Sequence, residues 1–596
     1  MKYVKRKLPY IMYFMCAIFC FFMFYFDWDV RQTASSSYGL LLGHISDFYD
    51  YCWDIEGLGH GTIYEIVIYI IFAIWNLPVF IAGFRPDGAN MGVFVALWNK
   101  LLLVLCFWGS ALVLQLISER MNLVKKNDKK AALIWSAMPL VFFLVLIQGS
   151  YDVLYVIFML IGVYFWLDKS STRSFVGFNL FFGIAICIKP FPLFYYLILL
   201  LIKEKKVFKI FANGLLAVTP YALCKLLYIH SEGYQAVLAF NTGNIYSVYA
   251  NSFQYLVPFI VIYIWVCAKA FWSDHSFGEE DSHIEWLYLC NLASFSFIGF
   301  STYHPQWIMG AVPFWVLSFL YNKKKVGYAL ASLVLTVAFY VLFGLQPGVH
   351  VDQGMLYILT DKGLGVVSSP VFSIDKFYRI TDIRIPYSIV TGCMFVLAFF
   401  SQKKYCIDDR LKKDEDEKGL RSTLVAVSII GVLAFVGPAI LCWFPPKFLT
   451  RTVAGLESTP VTTTAFVDKT GYKECFYANE DCLTSELDLY VYTWNKAYSD
   501  DDAIYITLSD EQGRDLFSHT LSLAQITSEI VAIPMEIEMK NGNQYSLSFA
   551  GSSDDEENLA ALGVVNIFDG NAFNLTRGDI QYRDQCITFS IKGKIK

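Results

Sequence analysis

The chain has 596 residues, of which 56% are hydrophobic, 17% aromatic and only 17% charged, with a formal net charge of −5. That composition excludes a water-soluble globular enzyme over most of the length and points to a helical membrane protein with a soluble appendage. Nothing in it implies a nucleic-acid partner.

In chain order, Leu8 to Phe26 is apolar and uncharged, with Lys2, Lys5, Arg6 and Lys7 in front of it. Such a segment reaches about 28 Å as a helix, which matches the hydrocarbon core of a bilayer. Its basic flank places the N-terminus in the cytoplasm, so Asp27 and Asp29 emerge at the outer surface. No Ala-x-Ala cleavage site follows, and the segment reads as a retained helix. Further spans are expected at 91–118, 131–148, 151–167, 175–189, 191–202, 207–228, 252–271, 286–302, 306–320, 326–344, 386–401 and 422–443.

The apolar stretch 62–84, with Glu65 near its start and Pro78 inside it, decides the topology. If it does not cross, the cytoplasmic side holds 25 Lys and Arg against 6 in the outer loops between spans. That is a strong positive-inside bias, so 62–84 is expected to be a juxtamembrane or re-entrant element on the outer face. Thirteen crossings put the C-terminus outside the plasma membrane. Residues 27–90 then form the first outer loop, with juxtamembrane helices, and 345–385 a later one. Residues 402–421 read as a solvated, mixed-charge cytoplasmic linker.

After Pro445-Pro446 the pattern changes to short alternating runs, such as Leu487 to Tyr492, Ala503 to Leu508, Ile533 to Met539 and Tyr545 to Phe549. These predict an antiparallel β-sandwich over 446–596, outside the cell. There Cys475 and Cys482 could close a short disulfide loop, leaving Cys586 unpaired. The expected fold class is therefore a polytopic α-helical membrane domain over 1–445 with a C-terminal extracytoplasmic β-sandwich. No Cys/His spacing suggests a metal site.

With this topology the costly polar residues share the outer level: Lys100 with Asn99, Gln148 and Asp152, Lys189 before Pro190, and His304. Each also has a bland reading: Gln148 and Asp152 as helix caps, Lys189 as a snorkelling cation, His304 as an interfacial histidine. Together, cationic groups facing a carboxylate pair suggest a substrate with a phosphate and a hydroxyl to be deprotonated. Tyr246, Tyr249, Tyr303 and Trp307 suit an interfacial aromatic belt.

The order Asp27-Trp-Asp29, apolar stretch, Ala96 to Lys100, Gln148-Gly-Ser-Tyr-Asp152, Gly183-x5-Lys189-Pro190 and His304 resembles the GT-C superfamily of membrane glycosyltransferases. It is closest in character to bacterial polyprenyl-phosphate-mannose-dependent, mannosyltransferase-like members. It covers about residues 1–320, and the chain lacks the Pro-Pro signature that many relatives carry in the first outer loop. The resemblance implies inverting transfer of a monosaccharide from a polyprenyl-phosphate donor to an acceptor hydroxyl, for example of a cell-envelope glycan. It also implies Asp29 as general base with Asp27 second, and Arg31 nearby keeping the base ionised. Asp47, Asp50, Asp54 and Glu56 are rivals in the same loop. Lys189, His304 and Lys100 would bind the lipid phosphate, while Gln148 and Asp152 would orient sugar hydroxyls or the base. No cofactor or metal is implied, and other envelope-biosynthesis proteins are conceivable partners. A transporter or flippase of a lipid-linked glycan is the alternative.

Overall fold

A computed structural model describes residues 13–22, 28–55, 62–86, 91–126, 128–168, 172–239, 256–273, 280–300, 305–322, 324–344, 384–402 and 405 of the N-terminal part. In the C-terminal part it describes 451–455, 463–478, 481–494, 496, 498–526, 530–555, 559–566, 573–578, 580–582 and 585–595. These fall into two compact units, the first helical and the second β. The segments 345–383 and 406–450, which include the expected span 422–443, lie outside the described residues, as does Glu56.

The helical unit begins with α1 (Tyr13–Phe22), α2 (Trp28–Leu41), α3 (Phe48–Asp54) and α4 (Ile66–Ile81). Then come α5 (Gly92–Arg120), α6 (Lys130–Ala137), the single turn α7 (Pro139–Phe142) and a π-helical turn, Phe143–Ile147. They are followed by α8 (Asp152–Trp166), α9 (Thr172–Ile188), α10 (Pro192–Lys203), α11 (Val207–Leu227) and α12 (232–239). The rest are α13 (Pro258–Phe271), α14 (Glu280–Phe300), a 3-10 segment Pro305–Gly310, α15 (Val312–Tyr321), α16 (Lys325–Gly344) and α17 (Arg384–Phe399). Among the described residues, α5 and α11 are long and apolar enough to cross a membrane, while several other apolar helices are shorter. One expectation changes. The stretch 131–148 is broken, because Pro139 starts a new helix and forces Met138 into an extended conformation. Within 27–90, where helices were expected, the chain is helical over α2, α3 and α4.

The apolar stretch 62–84 is a helix packed against protein on one side only. Trp75 and Trp98 stack at 4.9 Å, and each indole N–H donates to the other's backbone carbonyl at 2.8 and 3.0 Å, which locks α4 to α5. Beside them runs a buried polar chain. The Asn76 amide donates to Asn99 Oδ1 at 3.0 Å and approaches Ser37 Oγ at 3.5 Å, so α2, α4 and α5 are held in one register. The opposite face of α4 presents Ile70, Ile74, Leu77 and Ile81, all exposed.

In the β unit two antiparallel sheets share one core. The first runs β1 (Arg451–Gly455), β14 (Phe589–Ile595), β4 (Cys482–Tyr492), β10 (Ala561–Asn566), β13 (Gln585–Ile587). Attached to it are β2 (Thr463–Phe466) on β10, and β7 (Ile530–Pro534) and β8 (Glu538–Met539) on β4. The second sheet runs β12 (Ile580–Tyr582), β11 (Phe573–Arg577), β3 (Tyr472–Tyr477), β9 (Gln544–Gly551), β5 (Ala503–Asp510), β6 (Asp515–Ser522). Period-two alternation fixes which face is buried: Leu487, Leu489 and Val491 meet Ile504, Ile506, Leu508, Leu547 and Phe549. Phe476 and Phe589 make an edge-on contact at 5.1 Å across the two sheets. This is the expected sandwich.

Alternation also corrects the cysteine expectation. Phe476 and Glu474 face the core, so Cys475 between them faces away, whereas Cys482 points inward from the opposite sheet. Both sulfurs are free, as is that of Cys586. Burial raises the Cys475 and Cys586 thiols above the ordinary range, leaving them poor nucleophiles.

On the sandwich surface Asp468 pairs with Arg577 and accepts the Gly471 N–H at 3.1 Å. Partial burial opposes ionisation of its carboxyl, but these partners outweigh it and hold the pKa below the usual value of 3.8. A depressed acid stabilises the fold above its unfolded pKa, and that contribution is lost as pH falls through the folded value. Arg577→Leu should therefore destabilise the β unit by roughly 0.5–1 kcal/mol at neutral pH. Denaturant titrations at several pH values should show the difference shrinking below pH 3.8.

Candidate functional site

Two prolines and a glycine build the centre of the site. Lys189 ends α9 because it precedes Pro190, which disfavours the helical conformation, and Pro192 opens α10 as its first residue. On the neighbouring antiparallel element the π turn leads into Gln148-Gly149-Ser150. There Gly149 takes φ +74°, and the Ser150 N–H reaches back to the Leu144 carbonyl at 2.7 Å. The Asp152 N–H then lies 3.3 Å from Ser150 Oγ, and α8 begins. Asp152 thus sits at a helix N-terminus and Lys189 at a helix C-terminus, where the macrodipoles favour those charges. Because α8 and α9 pack against each other, the two ends meet and the side chains form an ion pair.

That pair is almost inaccessible, with side-chain exposures of 4% for Lys189 and 1% for Asp152. Two rings roof it: the Tyr151 centroid is 4.9 Å and the Tyr64 centroid 5.5 Å from Lys189 Nζ, and the rings contact each other edge-on. Desolvating two charges is expensive and is offset only by tight pairing and additional polar or π contacts.

Tyr64 is held by the loop around it. Its carbonyl accepts the Tyr49 hydroxyl at 2.7 Å, and its N–H donates to the Tyr69 hydroxyl at 3.2 Å. Glu65 next to it pairs with Lys225 at 3.0 Å and accepts the Tyr234 hydroxyl at 2.8 Å. Asp50 accepts Ser231 Oγ–H and Gly233 N–H, each at 2.8 Å, fastening α3 to the start of α12. A Cβ on Gly233 would come within 2.5 Å of the Tyr49 carbonyl, so only glycine permits that approach.

The structure places the expected residues differently. Lys189, Asp152 and Gln148 gather, Gln148 being buried in the turn beside Asp152. Lys100 is buried on α5, and its ammonium donates to the Leu146 carbonyl at 2.7 Å and the Cys20 carbonyl at 2.9 Å, clamping the π turn to α1. Arg31 is buried on α2, next but one to Asp29, whose backbone is helical. Asp27, His304 and the Asp29 side chain lie outside the described residues. The segment after His304 does reach the cluster: Trp307 packs on Phe191 at 4.8 Å, and a Cβ on Gly310 would lie 3.0 Å from the Tyr155 hydroxyl.

Of the rival carboxylates, Asp50 is used in the loop anchor. Asp47 is exposed and accepts from His44 at 2.9 Å, and this contact lowers its pKa. Asp54 is exposed. Sequence reasoning missed Tyr64, Lys225 and Tyr234. The usable signal was Glu65 directly before an apolar run, a carboxylate at the start of an apolar helix that asks for a cationic partner such as Lys225.

Among the described residues no group of His, Cys, Asp and Glu is arranged to hold a metal ion. Compared with known protein families and with curated proteins, the chain matches none.

Removing one partner of the Lys189–Asp152 pair strands the other charge. Lys189→Met or Asp152→Asn alone should cost about 3–5 kcal/mol of stability. The double substitution Lys189→Met/Asp152→Leu should recover most of it. Unfolding of the detergent-solubilised protein as a double-mutant cycle measures the coupling.

Proposed function

We propose that the chain is a polytopic plasma-membrane glycosyltransferase of the GT-C type, transferring a monosaccharide from a polyprenyl-phosphate donor to an acceptor hydroxyl on the outer face. The observation that carries the reading is the buried Lys189–Asp152 pair beneath Tyr64 and Tyr151. A cation desolvated at that depth and fenced by rings is an expensive arrangement, and such sites tend to mark substrate or ion pathways. The exposed apolar faces of α4 (Ile70, Ile74, Leu77, Ile81) and α11 (Phe208, Phe211, Leu215) support contact with lipid, since contiguous apolar patches are unfavourable in water.

In this reading the acceptor oxygen attacks the anomeric carbon while the carbon–oxygen bond to the phosphate breaks. The acceptor proton passes to Asp29, with Asp27 as the second candidate, and the bonding pair leaves with the phosphate. Lys189 turns from Asp152 toward the phosphate and neutralises the charge that grows on it in the transition state. Asp152 and Gln148 then face the sugar hydroxyls. His304, adjoining the Trp307 segment, contributes a donor to the phosphate. Arg31 supports the base from the same helix, and Lys100 shapes the floor through the π turn. Phosphate is already a good leaving group, so the step requires no cofactor. The orientation that follows puts the N-terminus in the cytoplasm and the β unit outside.

Asp29→Asn should lower release of polyprenyl phosphate from a panel of labelled polyprenyl-phosphate monosaccharides by about a hundredfold or more, with folding unchanged. Full activity in that variant would move the base to Asp27. No turnover of any donor by wild type, with cell-envelope acceptor present, would favour a transporter of the same lipid.

A further inference from the structure

We propose that Cys187 and Cys224 are an oxidation site, closing into a disulfide that ties α9 to α11 beside the ion pair. The site rests on the packing of these two helices and is independent of the reaction assigned to the helical unit.

Helix register brings the two thiols together. Contacts between α9 and α11 climb in step, so the helices run side by side in the same direction. The Asn179 amide donates to Asn213 Oδ1 at 3.0 Å, and the Tyr196 hydroxyl of α10 donates to Asn179 Oδ1 at 2.6 Å. One turn on, the backbones come close at Gly183. A Cβ there would lie 3.1 Å from the Ala217 carbonyl oxygen and 3.4 Å from Pro220 Cγ. Cys187 lies one turn past Gly183 and Cys224 one turn past Pro220, the same step on both helices. Their thiols meet in the narrow gap and are hydrogen-bonded to each other.

Touching thiols are not enough by themselves, and α1 shows the difference. Cys16 and Cys20 are hydrogen-bonded too, but they stand one above the other on a single helix, with both Cα–Cβ bonds pointing the same way. A bridge there would unwind α1, because the Cβ atoms would have to turn toward each other. Cys187 and Cys224 approach from facing helices. Closure needs only that the sulfurs move from hydrogen-bond contact to about 2.05 Å.

Burial selects the oxidant. Cys187 is 1% and Cys224 8% exposed, so a folded thiol oxidoreductase cannot dock on them, whereas hydrogen peroxide is nearly as small as water. One sulfur takes an oxygen from the peroxide and becomes a sulfenic acid, releasing one water. The other sulfur displaces that oxygen, which leaves with the second thiol proton as another water. Two S–H bonds break, one S–S bond forms, and two electrons pass to the peroxide. Burial slows the first step, and the adjacent thiol then traps the sulfenic acid before further oxidation. The bridge bears directly on the ion pair. Lys189 follows Cys187 by two residues, and Lys225 directly follows Cys224. Lys225 holds Glu65 at 3.0 Å, and Tyr64 beside Glu65 covers Lys189, so one cross-link fastens both helix ends under the cover.

The test is peptide mass spectrometry and thermal unfolding of the full-length, detergent-solubilised chain after hydrogen peroxide or dithiothreitol. Peroxide should produce a peptide joining Cys187 to Cys224, which dithiothreitol abolishes. The oxidised protein should melt several degrees above the reduced one, because the bridge closes a loop in the unfolded chain. Cys187→Ser and Cys224→Ala should each lose that gain. Alkylation of both cysteines by iodoacetamide after peroxide treatment and unfolding would overturn the assignment. So would sulfinic or sulfonic acid at either position in place of the joined peptide, or an equal rise in melting temperature in the two variants.

Discussion

The helical unit depends on one neutralised pair of charges buried where two helix ends meet. Lys189 and Asp152 are each favoured by the dipole of their own helix, and each is intolerable there without the other. Much of the surrounding architecture serves to keep them together and dry. The Pro190 and Pro192 punctuation fixes where α9 stops, Gly149 fixes where α8 starts, and Lys100 clamps the intervening π turn. Tyr64 and Tyr151 close the top.

A cover of this kind has to be held from outside, and the segment 28–86 is fastened at several points. Asp50 binds the start of α12, Glu65 joins α11 through Lys225, and Trp75 with Trp98 joins α4 to α5. A segment with so many long-range polar ties presents its residues in fixed positions. Ser37, Asn76 and Asn99 likewise tie the helix bearing Asp29 to α4 and α5. The loop is a rigid roof over the pair.

Strongly periodic or strongly punctuated segments were legible in the sequence. The helix at Gly92–Arg120 was expected at 91–118 and that at Val207–Leu227 at 207–228, because long apolar runs with charged ends leave little choice. The sandwich was legible because alternation in β4, β5 and β9 is nearly strict. The π turn was not, since 131–148 is uniformly apolar and only Pro139 hints at a break. The position of α2 was not legible because Thr33, Ser35, Ser36 and Ser37 look like a loop by composition; neighbouring helices bury them, and Ser36 and Ser37 bond Thr62, Asn76 and the preceding turn of their own helix. At the site, sequence order placed Lys189, Asp152 and Gln148 at one level but could not reveal that the first two neutralise each other. Tyr64 was invisible, because an aromatic beside an apolar run carries no signal until the fold lays it over a cation.

The most direct measurement is thermal unfolding with and without polyprenyl phosphate, comparing wild type with Lys189→Met/Asp152→Leu. A ligand at a hundredfold excess over its dissociation constant adds about 2.7 kcal/mol to the form that binds it. If Lys189 receives the lipid phosphate, wild type should gain that stabilisation and the folded double variant should lose most of it. An equal shift in both proteins would mean that the buried pair only holds α8 to α9, and the account of the site would fail.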